Sequence, residues 1–179
     1  YIYKNLWIPL GLMESSFGAT PWHLRAFRSS NYTVVGDSLG RERLIDNGRE
    51  FDPGITIPNG GWNAPVTDLA KWMGFLSGAS RGDPALRRSF EMLLARTTLE
   101  EMWRAVVPMG DAGEESVGLG FFLRRVGAVT LVGHTGEQAG FRSFADFNPV
   151  TRVGVIGCVN TTNDARPEES GRAFAAAIG

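Results

Sequence analysis

Three short constellations in the chain bring together residue types capable of nucleophilic or proton-transfer chemistry. The first is Gly36-Asp37-Ser38-Leu39-Gly40, which follows the strand-like run Tyr32 to Val35 and matches G-x-S-x-G, a pattern in which a sharp strand-to-helix turn exposes a nucleophilic serine. Such an elbow must be followed by a helix packed on the sheet. Residues 41–48, Arg-Glu-Arg-Leu-Ile-Asp-Asn-Gly, offer two arginines, one apolar pair and a turn instead, so the context favours a polar hairpin or surface loop. The same residues spell Gly-Asp-Ser-Leu, a block whose chemistry needs a D-x-x-H partner, and neither His23 nor His134 has an Asp three residues earlier. An independent hydrolase built on Ser38 and His134 stands as a minor reading.

The second constellation, Tyr3-Lys4-Asn5, is a Y-x-N of the kind that serine acyl-transfer enzymes use to pair a phenolic base with an amide. It lies in a helix-like segment just before Pro9-Leu10-Gly11, where residues two apart do not face each other, and it reads as a coincidence. The third is Gly133-His134-Thr135-Gly136-Glu137-Gln138-Ala139-Gly140-Phe141, at the end of an expected strand. A basic ring, a hydroxyl and a glycine in succession on an edge strand would present an imidazole, a donor for a substrate carboxylate, and backbone bare enough for a ligand to lie alongside. Taken alone, H-T-G is a weak signal, because a lone strand histidine is more often structural than catalytic.

The elements that must position these residues change character near residue 110: helices alternate with Gly and Pro before it, and short strands dominate after it. Asn63-Ala64-Pro65 starts a helix with Val66, Leu69, Ala70, Met73 and Leu76 at helical spacing before Gly78. Asp83-Pro84 opens another, with Leu86, Phe90, Leu93 and Leu94 on one face. Thr98 with Glu101 reads as a capping box starting a short third helix. Strands are expected at Val117 to Arg125, Ala128 to Thr135, Phe141 to Phe147 and Arg152 to Asn160, with short connections that imply antiparallel hairpins. Pro167 begins a last helix whose stripe is Ala173, Phe174, Ala177 and Ile178. Between residues 27 and 59, strand-like pieces at Tyr32 to Val35 and Phe51 to Ile57 flank Asn47-Gly48, which suggests a hairpin turn.

With 43% hydrophobic and 21% charged residues, the chain has the composition of a globular domain, which excludes disorder, collagen and long coiled coil. At 179 residues it can bury roughly 70% of its unfolded surface without a disulfide or metal. The near balance of 18 basic and 19 acidic residues leaves no electrostatic footprint for nucleic acid, so small molecules or proteins are the expected partners. Cys158, the single cysteine, excludes an internal disulfide and a thiolate metal cage. No window of the sequence approaches 18 uncharged apolar residues, so no membrane span is expected. The start at Tyr1, without Met or a leader-like segment, reads as an excised piece.

Six blocks, in order, turn the third constellation from a weak signal into a specific one. Pro9-Leu10-Gly11-Leu12-Met13, Gly60-Gly61-Trp62 with Ala64-Pro65 and Asp68-Leu69-Ala70-Lys71, Gly118-Leu119-Gly120-Phe121, Gly133-His134-Thr135-Gly136, Gly140-Phe141-Arg142-Ser143 and Val153 to Asn160 resemble the C-terminal half of the serine hydrolases related to class C β-lactamases and penicillin-binding D,D-peptidases. The resemblance implies an α+β fold, an antiparallel sheet flanked by helices, with the active site in the cleft beside a helical lobe. Residues 1–110 would be part of that lobe with loops, and 111–179 the sheet and C-terminal helix, together a fragment of one catalytic domain. The family's chemistry needs an S-x-x-K helix and a Y-x-N upstream of the P-L-G block. The only lysines, Lys4 and Lys71, have no serine three residues earlier, so both motifs are expected in a segment preceding Tyr1.

Roles follow from the resemblance. His134 would hydrogen-bond in the serine, tyrosine and substrate network, and Thr135 would donate to a substrate carboxylate or carbonyl. Gly136 and Gly140 would let the ligand lie close. Glu137 would offer its backbone N–H, not its carboxylate, as one of two oxyanion donors. Gly60-Gly61 and Asp68 read as turn and cap residues, and Trp62 and Trp72 as core. The substrate would be an ester, a D-amino-acid peptide or a β-lactam, with no cofactor or metal, and the parent periplasmic or secreted. The alternative is a non-catalytic binding or interaction module on the same fold. In the family an N-terminal strand covers one edge of the strand matching Arg152 to Asn160. Here the apolar Val153, Val155, Ile156 and Val159 imply docking of the complementary segment, or self-association, through that edge.

Overall fold

The computed structural model describes residues 1–48, 52–80, 82–110, 114–138 and 140–162. The C-terminal helix expected from Pro167 lies outside them. A π-helical turn at Tyr3–Trp7 runs into α1 (Ile8–Leu10), which Gly11 closes in the left-handed conformation at φ 68°. There follow β1 (Ser16–Phe17), β2 (Tyr32–Gly36), β3 (Glu42–Asp46), α2 (Ile57–Gly60), β4 (Trp62–Asn63), α3 (Val66–Ser77), α4 (Pro84–Leu93) and α5 (Arg96–Met102). The strands β5 (Val107–Met109), β6 (Glu115–Val117), β7 (Phe122–Val126), β8 (Val129–Gln138), β9 (Phe141–Phe147) and β10 (Gly154–Val159) form an antiparallel sheet in the order 10-9-8-7-6-5. A final short strand, β11 (Thr161–Thr162), pairs in parallel with β2.

The sheet buries one face under the helices. Leu123, Val132, Phe147 and Gly154 sit side by side across β7 to β10, one row on a single face. Helix α3 crosses this row, and the core joins its Met73, Phe75 and Leu76 to Leu99, Phe121, Leu123, Val132 and Phe147. Gly154 is where helix and strand come closest, since a Cβ there would lie 2.2 Å from Met73 Sδ. The helix itself starts after Pro65 and ends at Gly78 (φ 72°), as its sequence pattern implies. A run of aromatic rings, Trp7 on Trp62 (5.9 Å), Trp62 on Trp72 (5.8 Å), Trp72 on Phe75 (5.4 Å) and Phe75 on Phe90 (5.6 Å), ties the N-terminal turn to α4. Trp62 and Trp72 are half-buried within it rather than fully enclosed.

Asp68 is 1% exposed, and its role is larger than a cap. Its Oδ2 accepts from Glu14 N–H and Ser15 Oγ, both at 3.0 Å, and its Oδ1 from Lys71 Nζ at 2.9 Å, while Lys71 also donates to the Gly11 carbonyl. The turn after Pro9-Leu10-Gly11 is therefore clamped to the first turn of α3, and one of the chain's two lysines is committed to the clamp.

Four local expectations are corrected. The hairpin turn is Asp37–Arg41, not Asn47-Gly48, because the Asp37 carboxylate collects Leu39 N–H, Arg41 N–H and Arg41 Nε and closes the loop. These bonds, the Arg41 amide first, hold the Asp37 carboxyl below its ordinary pKa. The strand expected at Phe51 to Ile57 is instead a 3-10 turn at Gly54–Thr56 followed by α2, with Phe51 outside the described residues. Helix α5 begins at Arg96, so Thr98 lies inside its first turn and forms no capping box; the Arg96 N–H is satisfied by Glu91 Oε2 at 3.0 Å. The strand expected from Val117 to Arg125 is split into β6 and β7 at Gly118, whose Cβ would lie 2.3 Å from the Met102 carbonyl.

On the other face of the sheet Arg124 bridges Glu115 at 3.1 Å and the 2% exposed Asp146 at 3.3 Å. Burial pushes the Asp146 carboxyl above its ordinary pKa of 3.8, with the Arg124 guanidinium opposing the shift. A carboxyl raised in the folded state contributes stability that is complete below the unfolded value and lost as pH rises through the folded one. The stability of the protein relative to Asp146→Asn should therefore fall as pH rises above 3.8, and urea denaturation between about pH 3 and pH 7 checks it; a flat difference refutes it. Asp68→Ala removes the acceptor for three donors at once and should cost about 3 kcal/mol in the same assay, whereas a cost below about 1 kcal/mol would show that the clamp is dispensable.

Candidate functional site

The H-T-G residues lie on the part of β8 that outruns its neighbour. β7 pairs with β8 from Val129 only as far as Gly133, whereas β9 pairs with it through Gln138. Residues His134–Gln138 thus have a strand on one side and, among the described residues, none on the other. The loop before β7 explains this. Leu119 N–H donates to the Met102 carbonyl and Gly118 N–H to the Phe121 carbonyl, each at 2.8 Å, so the chain turns down to the end of α5 instead of continuing along β8. An uncovered edge presents alternating N–H and C=O groups on which an extended ligand can be laid.

His134, Thr135, Gly136 and Glu137 are all exposed. The His134 ring stacks on Phe122 at 4.8 Å and 27°, and its Nδ1 lies 2.5 Å from the Thr135 carbonyl oxygen. A carbonyl can only accept, so Nδ1 carries the proton and Nε2 is left to receive one. The Glu137 carboxylate turns to Arg142 on β9 at 3.1 Å, a surface pair with its acid 54% exposed. Such a pair contributes little to stability, and it keeps the carboxylate on the β9 side of β8. A Cβ on Gly136 would lie 2.9 Å from Ser143 Oγ. Gly140 is buried at φ 84°, and a Cβ there would meet Asn31 Nδ2 at 2.9 Å, so it shapes the β8–β9 turn.

Several supporting residues escape a reading of the sequence. Gln138 Nε2 donates to the Gly60 carbonyl at 3.2 Å, and a Cβ on Gly60 would come 2.4 Å from that amide, so the Gly60-Gly61 block holds the far end of β8. Gly133 faces Asp146 across the ladder, where a Cβ would lie 2.2 Å from Asp146 Oδ1; the glycine before His134 makes room for the Arg124–Asp146 pair. The signal for Asp146 was an acid between Ala145 and Phe147 in an apolar strand, which only a partner can make tolerable. Gln138 carried no such signal.

The other two constellations are not brought into this arrangement. Ser38 is exposed at the tip of the β2–β3 hairpin and is followed by a strand, so the elbow geometry is absent and the Ser38 hydrolase reading loses its support. Asn5 Nδ2 donates to the Tyr1 carbonyl at 2.8 Å within its own helical turn. Among the described residues no group of three or more His, Cys, Asp or Glu could hold a metal ion, and no helix is long and apolar enough to cross a membrane. An open cavity of about 480 Å³ lies past the β8–β9 turn, lined by Arg25, Arg28, Ser29, Ser30, Asn31, Asp46 and Gly48. A smaller one, about 230 Å³, sits among α3, α4, α5 and Arg152, toward the opposite end of the sheet from Gln138.

No curated protein sequence matches the chain. Solved structures do. An octameric penicillin-binding protein homologue from Pyrococcus abyssi superposes with a TM-score of 0.73 at 24% identity, covering 99% of this chain and 36% of that one. The D-amino acid amidase from Ochrobactrum anthropi SV3, with D-phenylalanine, gives 0.72 at 18% identity over 99% of this chain and 50% of that one. A β-lactamase/D-alanine carboxypeptidase from Pseudomonas syringae gives 0.68 at 15% over 99% and 51%. At these identities the likeness establishes the fold, and the chain spans about a third to a half of each structure's length. The sequence profile of the Beta-lactamase family matches residues 1–179, and with the fold it shares, the chain belongs to that family.

Proposed function

We propose that this chain supplies the substrate-binding strand of an acyl-enzyme serine hydrolase acting on an ester, a D-amino-acid peptide or a β-lactam. The observation that carries the reading is the uncovered edge of β8 at His134–Gln138, in a chain of the beta-lactamase family. Neither S-x-x-K nor a suitably placed Y-x-N occurs in the 179 residues, so the nucleophile comes from residues outside them, and residues 1–110 and 111–179 act as two parts of one catalytic domain. A periplasmic or secreted parent fits this reading.

In acylation the serine oxygen attacks the substrate carbonyl and forms a bond to carbon while its proton passes to the lysine-tyrosine base system. The carbonyl π electrons move onto oxygen, where the Glu137 N–H and the serine's own N–H stabilise the negative charge. Collapse of this intermediate expels the leaving group, which takes up a proton. The protonated Nδ1 of His134 leaves Nε2 as an acceptor within that proton network, and Thr135 Oγ1 donates to a carboxylate or carbonyl of the substrate. Gly136 keeps the strand bare of side chain where the ligand lies, and Gly140 sets the turn that ends it. The other exposed edge, that of β10, has only β9 beside it among the described residues, which suits a strand of the complementary half or of a second copy.

The 179-residue chain alone should show no turnover of chromogenic esters or cephalosporins, and activity abolished by Ser38→Ala would overturn this. In the full protein His134→Ala should slow acylation by about 10² to 10⁴, read from single-turnover kinetics, and an unchanged rate would remove His134 from the mechanism. Thr135→Val should weaken substrates with a free carboxylate by about tenfold or more relative to their amides, because it deletes a hydrogen bond to a charged group.

A further inference from the structure

We propose that the cavity beside the β8–β9 turn is a binding pocket for a carboxylate-bearing ligand about the size of an acidic amino-acid unit. It shares no residue with the His134–Glu137 edge, so it stands or falls independently of the acyl-transfer reading. Two guanidinium groups, Arg25 and Arg28, line it against a single carboxylate, Asp46, which leaves the wall net positive. Asp46 Oδ1 already accepts the Gly48 N–H at 2.7 Å. The volume, about 480 Å³, suits a small organic anion rather than a bare ion.

The wall is held in place before any ligand arrives. The Arg28 guanidinium lies 5.3 Å from the centre of the Phe141 ring, a cation–π contact that orients its plane against β9. Arg25 donates its Nε–H to the Thr20 carbonyl at 3.3 Å, a bond that does not use its Nη groups. Asn160 Nδ2 fixes the corner between the two sides by donating to Ser29 Oγ at 3.2 Å and to the Ser30 carbonyl at 2.9 Å. Asn31 packs against the Gly140 turn, and its carbonyl accepts the Asn47 N–H at 3.0 Å. An arginine fork matches the two oxygens of a carboxylate, and a pocket ordered in advance loses little entropy on binding.

The test is calorimetric titration of the full chain with N-acetyl-diglutamate, its neutral counterpart N-acetyl-diglutamine, and inorganic phosphate, at low ionic strength. The acidic dipeptide should bind about tenfold or more tightly than the neutral one. Arg25→Gln with Arg28→Gln should erase that preference, and Asp46→Asn, which removes the opposing charge, should increase it several-fold. His134→Ala should leave it unchanged. Equal affinity for the two dipeptides overturns the proposal, as does a preference that survives the double arginine substitution in a protein with unaltered thermal unfolding. Phosphate binding as tightly as the acidic dipeptide overturns the assignment to a carboxylate. Should the double variant fail to fold, Asp46→Asn and the dipeptide comparison decide it by themselves.

Discussion

The amide of Leu119 donates to the last carbonyl of α5, and that 2.8 Å bond sets where β7 begins. A strand that kept its course from β6 would have run beside β8 to its end and covered His134. Instead the chain dips at Gly118, where the α5 backbone passes too close for any side chain, and returns to the sheet only at Phe122. The five residues His134–Gln138 remain attached to the sheet by β9 alone. An edge of this kind is a liability when it is flat and apolar. Here it carries an imidazole, a hydroxyl and a carboxylate, and its length is short.

A strand end paired on one side has fewer ladder bonds to hold it, and such regions fall at the low end of local stability. Side-chain and backbone joints compensate. Gln138 reaches the Gly60 carbonyl, Gly140 closes against Asn31, and the Glu137 and Arg142 side chains span the hairpin. Each joint links β8 or its turn to a different part of the chain, so the geometry of the edge depends on residues up to 78 positions apart in sequence. These contacts give the Gly60-Gly61 block a place in the site that its turn-like composition conceals.

The two faces of the sheet solve opposite problems with the same device. On the helical face Gly154 admits Met73 of α3, and the packing is apolar. On the other face Gly133 admits the buried carboxylate of Asp146, whose desolvation is opposed by Arg124. Removing one member of such a pair would leave an uncompensated charge, so Gly133 is constrained by electrostatics as much as by space.

Much of this was determined by local sequence. The 3.6-residue spacing of Val66 to Leu76 between Pro65 and Gly78 specifies α3, Asp83 with Pro84 specifies the start of α4, and the apolar runs with short polar breaks specify an antiparallel sheet. The ordered blocks from Pro9 to Asn160 were sufficient to identify the family, because glycines and prolines at fixed turns record backbone geometry directly. Local pattern could not reveal where strands stop or which glycines answer to distant neighbours. The Asp37 turn displaced the expected Asn47-Gly48 turn through side-chain bonds to its own loop, and Thr98 lost its capping role because Glu91 of the preceding helix supplied the acceptor. The open edge of β8 was decided only in three dimensions, since strand register and its interruption arise from contacts between segments that sequence periodicity, a property of one segment at a time, does not encode.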